Sequence, residues 1–121
     1  MLVSALFLKG VSNLEYFIFT SNKTTVKIRL NDIVYVITAA KPHQLKIFTS
    51  TRIYLTYGKL RWFKDHSKHL IFCNRSCIIN LNDVLSIEKS TRKITFKTDI
   101  DIPITCSRNL YKAVKAAWLA I

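Results

Sequence analysis

Thr25-Val26-Lys27-Ile28-Arg29-Leu30 decides the fold class, because its apolar and cationic residues alternate with a period of two. Successive side chains of a β-strand point to opposite faces, so Val26, Ile28 and Leu30 share one face and the two cations the other. Working outward, Arg92-Lys93-Ile94-Thr95-Phe96-Lys97 repeats the device, with Ile94 and Phe96 turned inward. Ile100, Ile102 and Ile104 alternate with Asp101, Pro103 and Thr105. Pro103 cannot donate a ladder bond and suits an edge or a strand end. Ile33 to Ile37 is continuously apolar, the pattern of a strand covered on both faces. Leu45–Phe48 and Ile53–Tyr57 supply two more strands around the polar turn Thr49-Ser50-Thr51-Arg52. The expected class is mainly β and mostly antiparallel.

Two segments follow a helical rhythm instead. Leu60 and Phe63 sit three apart and Leu70 follows seven later, which predicts a short mid-chain helix before a strand at Ile71. After Ser107, an N-cap residue type, Leu110, Ala113, Val114, Ala117 and Ile121 trace one stripe with Lys112 and Lys115 off it. The stripe reads as a C-terminal helix packed on the sheet. An amphipathic membrane anchor is the alternative, resting on Trp118 and two lysines.

At 121 residues the chain has room for one domain, and with half its residues hydrophobic it can bury a core. Nineteen Lys plus Arg stand against seven Asp plus Glu, a formal net charge of +12. Such a balance calls for an anionic partner, either nucleic acid or an acidic membrane surface. Residues 1–22 carry one Lys and one Glu, so the whole excess belongs to residues 23–121. Residues 1–14 read as an apolar tail, with the stub of a longer chain as the alternative, and residues 15–121 as the domain. No internal repeat and no linker is expected. Eight residues of apolar run before Lys9, without a cationic lead, do not make a signal peptide, and no stretch has the length of a membrane span. Three cysteines, Cys73, Cys77 and Cys106, are too few for a disulfide scaffold. The expected location is the cytoplasm.

Most chemistry is poorly supported. His66, His69, Cys73 and Cys77 are metal-ligand types within twelve residues, but both His precede both Cys and the spacing matches no zinc motif. Packing cysteines and surface histidines are the plainer reading, and no metal or cofactor is expected. A Cys73–His69 pair lacks an orienting third group, and Asp99 and Asp101 are the only close carboxylates. With 2 Gly in the chain, neither a P-loop nor a dinucleotide fingerprint occurs. The chain is expected not to be an enzyme, and no small-molecule substrate is expected. Oxidation of Cys73, two residues from Arg75, is a subsidiary idea beside that of a buried, inert thiol.

Nucleic-acid binding fits the charge. Arg held at a strand or helix end can read guanine bidentately, while cations beside polar turns meet phosphates. Three positions stand out: His43 in Lys41-Pro42-His43-Gln44, Arg75 in Cys73-Asn74-Arg75-Ser76, and Arg108 at the start of the last helix. RNA is a weaker target, since no RNP-type aromatic motif or Gly-x-x-Gly loop is present. A basic adaptor on a membrane or protein surface is the other class, motivated by the apolar N-terminus and Trp118.

Phe72-Cys73-Asn74-Arg75-Ser76-Cys77-Ile78-Ile79-Asn80-Leu81-Asn82-Asp83-Val84, followed by Ile102-Pro103-Ile104-Thr105-Cys106-Ser107-Arg108, resembles the LytTR DNA-binding domain of bacterial transcriptional regulators. Asn31-Asp32-Ile33-Val34-Tyr35-Val36 is similar to that family's early strand, and the likeness runs from about Glu15 to Trp118. Asn74 stands where the family commonly has His, Cys77 where an aromatic is usual and Ile37 where Glu is usual. The resemblance implies an elongated, mainly β fold of about ten strands that binds duplex DNA without a recognition helix. Loop residues would enter successive major grooves, and by position these are His43, Arg75 and Arg108. It places Lys41, Asn74, Ser76, Ser107, Asn109 and Lys112 near the DNA backbone. It further implies two protomers on a direct-repeat site, and an inhibitory membrane protein or another regulatory domain as a partner.

Overall fold

A computed structural model describes residues 5–9, 15–21, 23–99 and 102–121. Its elements in chain order are β1 (Ala5–Lys9), β2 (Glu15–Ser21), β3 (Thr24–Arg29), β4 (Ile33–Thr38), β5 (Gln44–Thr49), β6 (Ile53–Tyr57), α1 (Arg61–His66), β7 (Leu70–Asn74), β8 (Cys77–Asn80), β9 (Val84–Ile87), β10 (Lys93–Phe96), β11 (Ile104–Thr105) and α2 (Arg108–Leu119). All strand pairs are antiparallel, in a central sheet ordered β6-β5-β4-β8-β7 and two three-stranded sheets, β1-β2-β3 and β11-β10-β9.

The middle of the central sheet is buried on both faces, and its sequence follows from that, while the edge strand β6 exposes Ile53 and Leu55. One face packs against β1–β3 and α1 through Phe17, Phe19, Ile28, Ile47, Phe63 and Ile78. The other packs against β9–β11 and α2 through Tyr35, Phe48, Cys73, Ile79, Ile94 and Val114. In β4, Ile33 and Val36 serve the first core while Val34 and Tyr35 serve the second. A register shift between Ile33 and Tyr35 puts the extra residue into the strand and reverses the side-chain parity. The continuous apolar run is therefore a strand with a core on each side.

The short helix forms as expected, with Phe63 fully buried, edge-on to Phe7 and tilted against Phe17 at centroid distances of 5.5 and 4.8 Å. Those contacts revise the reading of residues 1–14 as a tail. Residues 5–9 form β1, paired with β2, and Phe7 packs on the first core. An apolar residue at every second position gives a strand a face to bury, which a free tail would leave in water.

The last helix is turned from its expected orientation. Ala113 and Ile121 are exposed, while Val114 is buried and Leu110, Tyr111, Ala117 and Trp118 pack on the second core. The two large aromatics pull the buried face towards themselves, because they offer more apolar area than alanine. Ser107 does sit at the N-cap with extended backbone, but its hydroxyl caps no amide. Leu30 leaves β3 for a 3₁₀ turn, yet stays buried. Only Ile104–Thr105 of the isoleucine series is strand; Ile102 is exposed, and Ile100 and Asp101 lie outside the described residues.

Two short turns share sequence and geometry. Leu30-Asn31-Asp32 and Leu81-Asn82-Asp83 each form a 3₁₀ turn with a buried leucine, and each turn opens into a strand, β4 or β9. The two turns are tied together by the Asn82 amide donating to Asn31 Oδ1 at 3.0 Å. Three identical residues do not rise above chance in a sequence, so only the matching geometry marks the pair.

Candidate nucleic-acid interface

The β4–β5 connection carries Lys41 and His43 on a loop fixed by its own backbone. Ala39 N–H donates to Gln44 O at 2.8 Å, and Gln44 N–H to Lys41 O at 3.1 Å. His43 adopts a left-handed backbone, φ 61°, uncommon outside glycine although histidine tolerates it better than most. Its carbonyl accepts from Gly58 N–H at 2.8 Å, so the strained residue is held from the β6 side. A Cβ at Gly58 would stand 2.6 Å from the Trp62 ring, which would have to shift to admit it. The His43 side chain itself is exposed.

Arg75 and Ser76 form the two-residue turn between β7 and β8. A register shift between Phe72 and Asn74 leaves Cys73 as the extra residue of a bulge, which re-aims the turn. Asn74 Oδ1 accepts from Ser76 N–H at 2.8 Å, closing an Asx turn that stiffens the tip. Arg75 is exposed at that tip.

Arg108 opens α2 and is exposed, as are Asn109 and Lys112. Lys112 lies four residues beyond Arg108, hence on the same helical face. The segment leading into the helix is anchored from two directions. Ser107 N–H donates to Cys73 O at 2.8 Å, and Arg92 Nε donates to Cys106 O at 3.0 Å.

These three pieces are neighbours. Thr38 N–H donates to Ser76 O at 3.0 Å, joining the root of the His43 loop to the Arg75 turn, and the Ser107 bond joins that turn to the helix start. His43 and Arg75 line one concavity of about 520 Å³ together with Lys41, Lys59 and Arg61. Lys59 and Arg61 escaped the sequence reading, which used their segment only for helix spacing. The pairing of Gln44 with Tyr57 carries the chain after β6 back beside His43, which is what delivers them. Among the described residues one ion pair is formed, Arg29–Asp32, so the cations of the concavity keep their charge for a partner.

The metal-ligand types are dispersed. His66 stacks on Phe7 at 3.8 Å with its Nδ1 against Trp62 O at 2.8 Å, whereas Cys73 and Cys77 are buried in the other core. Among the described residues no three ligand side chains gather around a common point. All three cysteines are free and buried. The Cys77 thiol is pushed up strongly by its hydrogen bond with Cys73 and then by burial, and burial first raises Cys106 to about 11. Thiolates are disfavoured at Cys77 and Cys106, which makes these two poor nucleophiles. The two features behind the adaptor reading are likewise used internally, since Phe7 and Trp118 both pack on cores. No helix of the described residues is long and apolar enough to cross a membrane.

The arrangement is a β-scaffold whose loops, together with the start of α2, present cations at one end of a sheet. A model of the LytTr DNA-binding domain matches residues 23–119, and the chain belongs to this LytTR family of DNA-binding domains. Among solved structures, it is similar to the LytTr DNA-binding domain of a Bacillus cereus protein assigned as a methyl-accepting/DNA response regulator. The TM-score is 0.65 at 15% identity, over 88% of this chain and 97% of that one. No curated protein matches the chain.

Proposed function

We propose that this domain binds double-stranded DNA sequence-specifically as the DNA-reading part of a bacterial transcriptional regulator, in the cytoplasm. His43, Arg75 and Arg108 read base edges in successive major grooves. Lys41, Ser76, Ser107, Asn109 and Lys112 lie along the phosphate backbone, joined by Lys59 and Arg61, and two protomers occupy one direct-repeat site. One observation carries the reading: the three positions sit on two loops and a helix start linked by hydrogen bonds at one end of the central sheet, and no carboxylate lines the concavity that holds His43 and Arg75. Rigid presentation matters because a guanidinium reads guanine only when both its donors reach O6 and N7 together.

Selection of bound duplexes from a random pool tests it, with a repeated motif at fixed spacing as the expected outcome. On the selected duplex, Arg75→Ala and Arg108→Ala each lower discrimination against a random duplex by roughly 1–3 kcal/mol. Equal losses on both duplexes would reduce the two arginines to phosphate contacts.

A further inference from the structure

The Asn74 side chain has partners within the protein. Its residue is half-buried, and both ends of its amide are engaged inside the protein. Oδ1 accepts from Ser76 N–H at 2.8 Å, and Nδ2 donates to Thr105 O at 3.0 Å, a residue 31 positions further along the chain. The first bond shapes the turn that carries Arg75. The second fastens this turn to the strand that leads, three residues on, to Arg108. Among the described residues it is the one side-chain hydrogen bond between these two segments. The backbone bond from Ser107 N–H to Cys73 O runs beside it, and the two together form a brace across the gap between β7 and β11. On the far side of β11 the same segment meets Arg92, whose backbone is left-handed at φ 59° and whose Nε and carbonyl both bond Cys106.

We propose that Asn74 is a positioning residue for sequence discrimination: it fixes the distance and orientation between Arg75 and Arg108, so that the two guanidinium groups meet their bases simultaneously. This rests on the base-reading assignment above. The physical argument is one of tolerance. Phosphate contacts survive small displacements, because an ammonium or guanidinium attracts an anion from many directions. A bidentate base contact does not, since both hydrogen bonds must keep their geometry. A loosened brace therefore costs specific affinity and leaves non-specific affinity in place, whereas a lost phosphate contact lowers both alike.

The test compares Asn74→Ala and Asn74→Asp with the unaltered chain on the selected duplex and on a random duplex, across a salt series. Asn74→Ala removes both bonds. Asn74→Asp keeps the acceptor for Ser76 N–H and sets an oxygen against Thr105 O, so it breaks only the brace. Expected for both is a fall of ~5-fold or more in the ratio of specific to random affinity, the lower end of what one bidentate contact supplies. For Asn74→Ala, random-duplex affinity and salt slope stay unchanged, and a cooperative urea-unfolding transition reports that the variant is folded. If it does not fold, Asn74→Asp carries the test, with the same unfolding transition as its folding control. Equal losses on both duplexes, or an unchanged ratio, would overturn the positioning role. If Arg75→Ala and Arg108→Ala fail to alter discrimination, the base-reading assignment falls first. If they succeed and the Asn74 variants leave the ratio intact, this inference alone falls.

Discussion

The two ends of the central sheet use polar residues in opposite ways. At the end formed by the β7–β8 turn and the β4–β5 loop, the stretches 38–44, 57–61, 72–76 and 105–112 hold Lys41, Lys59, Arg61, Arg75, Arg108 and Lys112, with no Asp or Glu. At the other end several charged and amide groups pair with one another, although Glu15 Oε2 and His69 Nδ1 are buried there without a partner. Arg29 grips Asp32 through two hydrogen bonds of 3.1 Å, and Asn80 donates to Asn31 O and Ile33 O at 3.2 and 2.9 Å. Asp83 accepts from the Thr98 hydroxyl at 3.1 Å. One end closes the fold upon itself, and the other leaves its cations for a polyanion. A domain of net charge +12 tolerates this because the like charges sit on exposed loops, where water and salt screen them.

The contrast is open to direct attack. The largest effect is expected at the closed end, at Asn80, which is 1% exposed and holds two backbone carbonyls and the Asn82 amide. Asn80→Ala takes this partner from the buried Ile33 carbonyl and from the less buried Asn31 and Asn82 groups, and should cost roughly 2–3 kcal/mol in urea unfolding. The ratio of specific to random DNA affinity of the folded fraction should not move. A variant that lost discrimination instead would mean that the ends are not separable.

At the open end the pattern reverses. Lys59→Ala and Arg61→Ala should weaken specific and random duplexes alike, each lowering the slope of log affinity against log salt by about one unit. Unfolding should shift by less than about 0.5 kcal/mol, as for surface positions in general. A change in base preference would move either residue from the phosphates to the bases. The smallest effect belongs to Asp32→Asn. It breaks an ion pair whose side chains are 52% and 45% exposed, and it should cost under about 1 kcal/mol, with DNA binding untouched.

What could be read beforehand depended on the range of the interaction. Val26 and Ile28, Ile94, the run from Ile33 and the hairpin from Leu45 to Tyr57 declared themselves because strand periodicity is local. Phe63 and Val114 likewise marked two helices. The roll of α2 did not, because Tyr111 and Trp118 compete with Ala113 for the core, and the winner depends on the sheet opposite. Nor did β1, since a strand at a chain end is recognisable only from the strand it pairs with. In the site, Arg75 and Arg108 stood out by their place at a turn and a helix start. Lys59 and Arg61 did not, because β6 has to fold back along β5 before they come near His43.

By itself the amino-acid sequence determined the β class, the excess of cations and the family, all of which are properties of neighbouring residues or of their sum. Only the tertiary structure decided that positions 43, 75 and 108 share one end of a sheet. The same holds for Asn74, which it turns inward to bind a carbonyl 31 residues away. Hydrogen bonds between distant segments depend on strand order and register, and no local pattern encodes either of these alone.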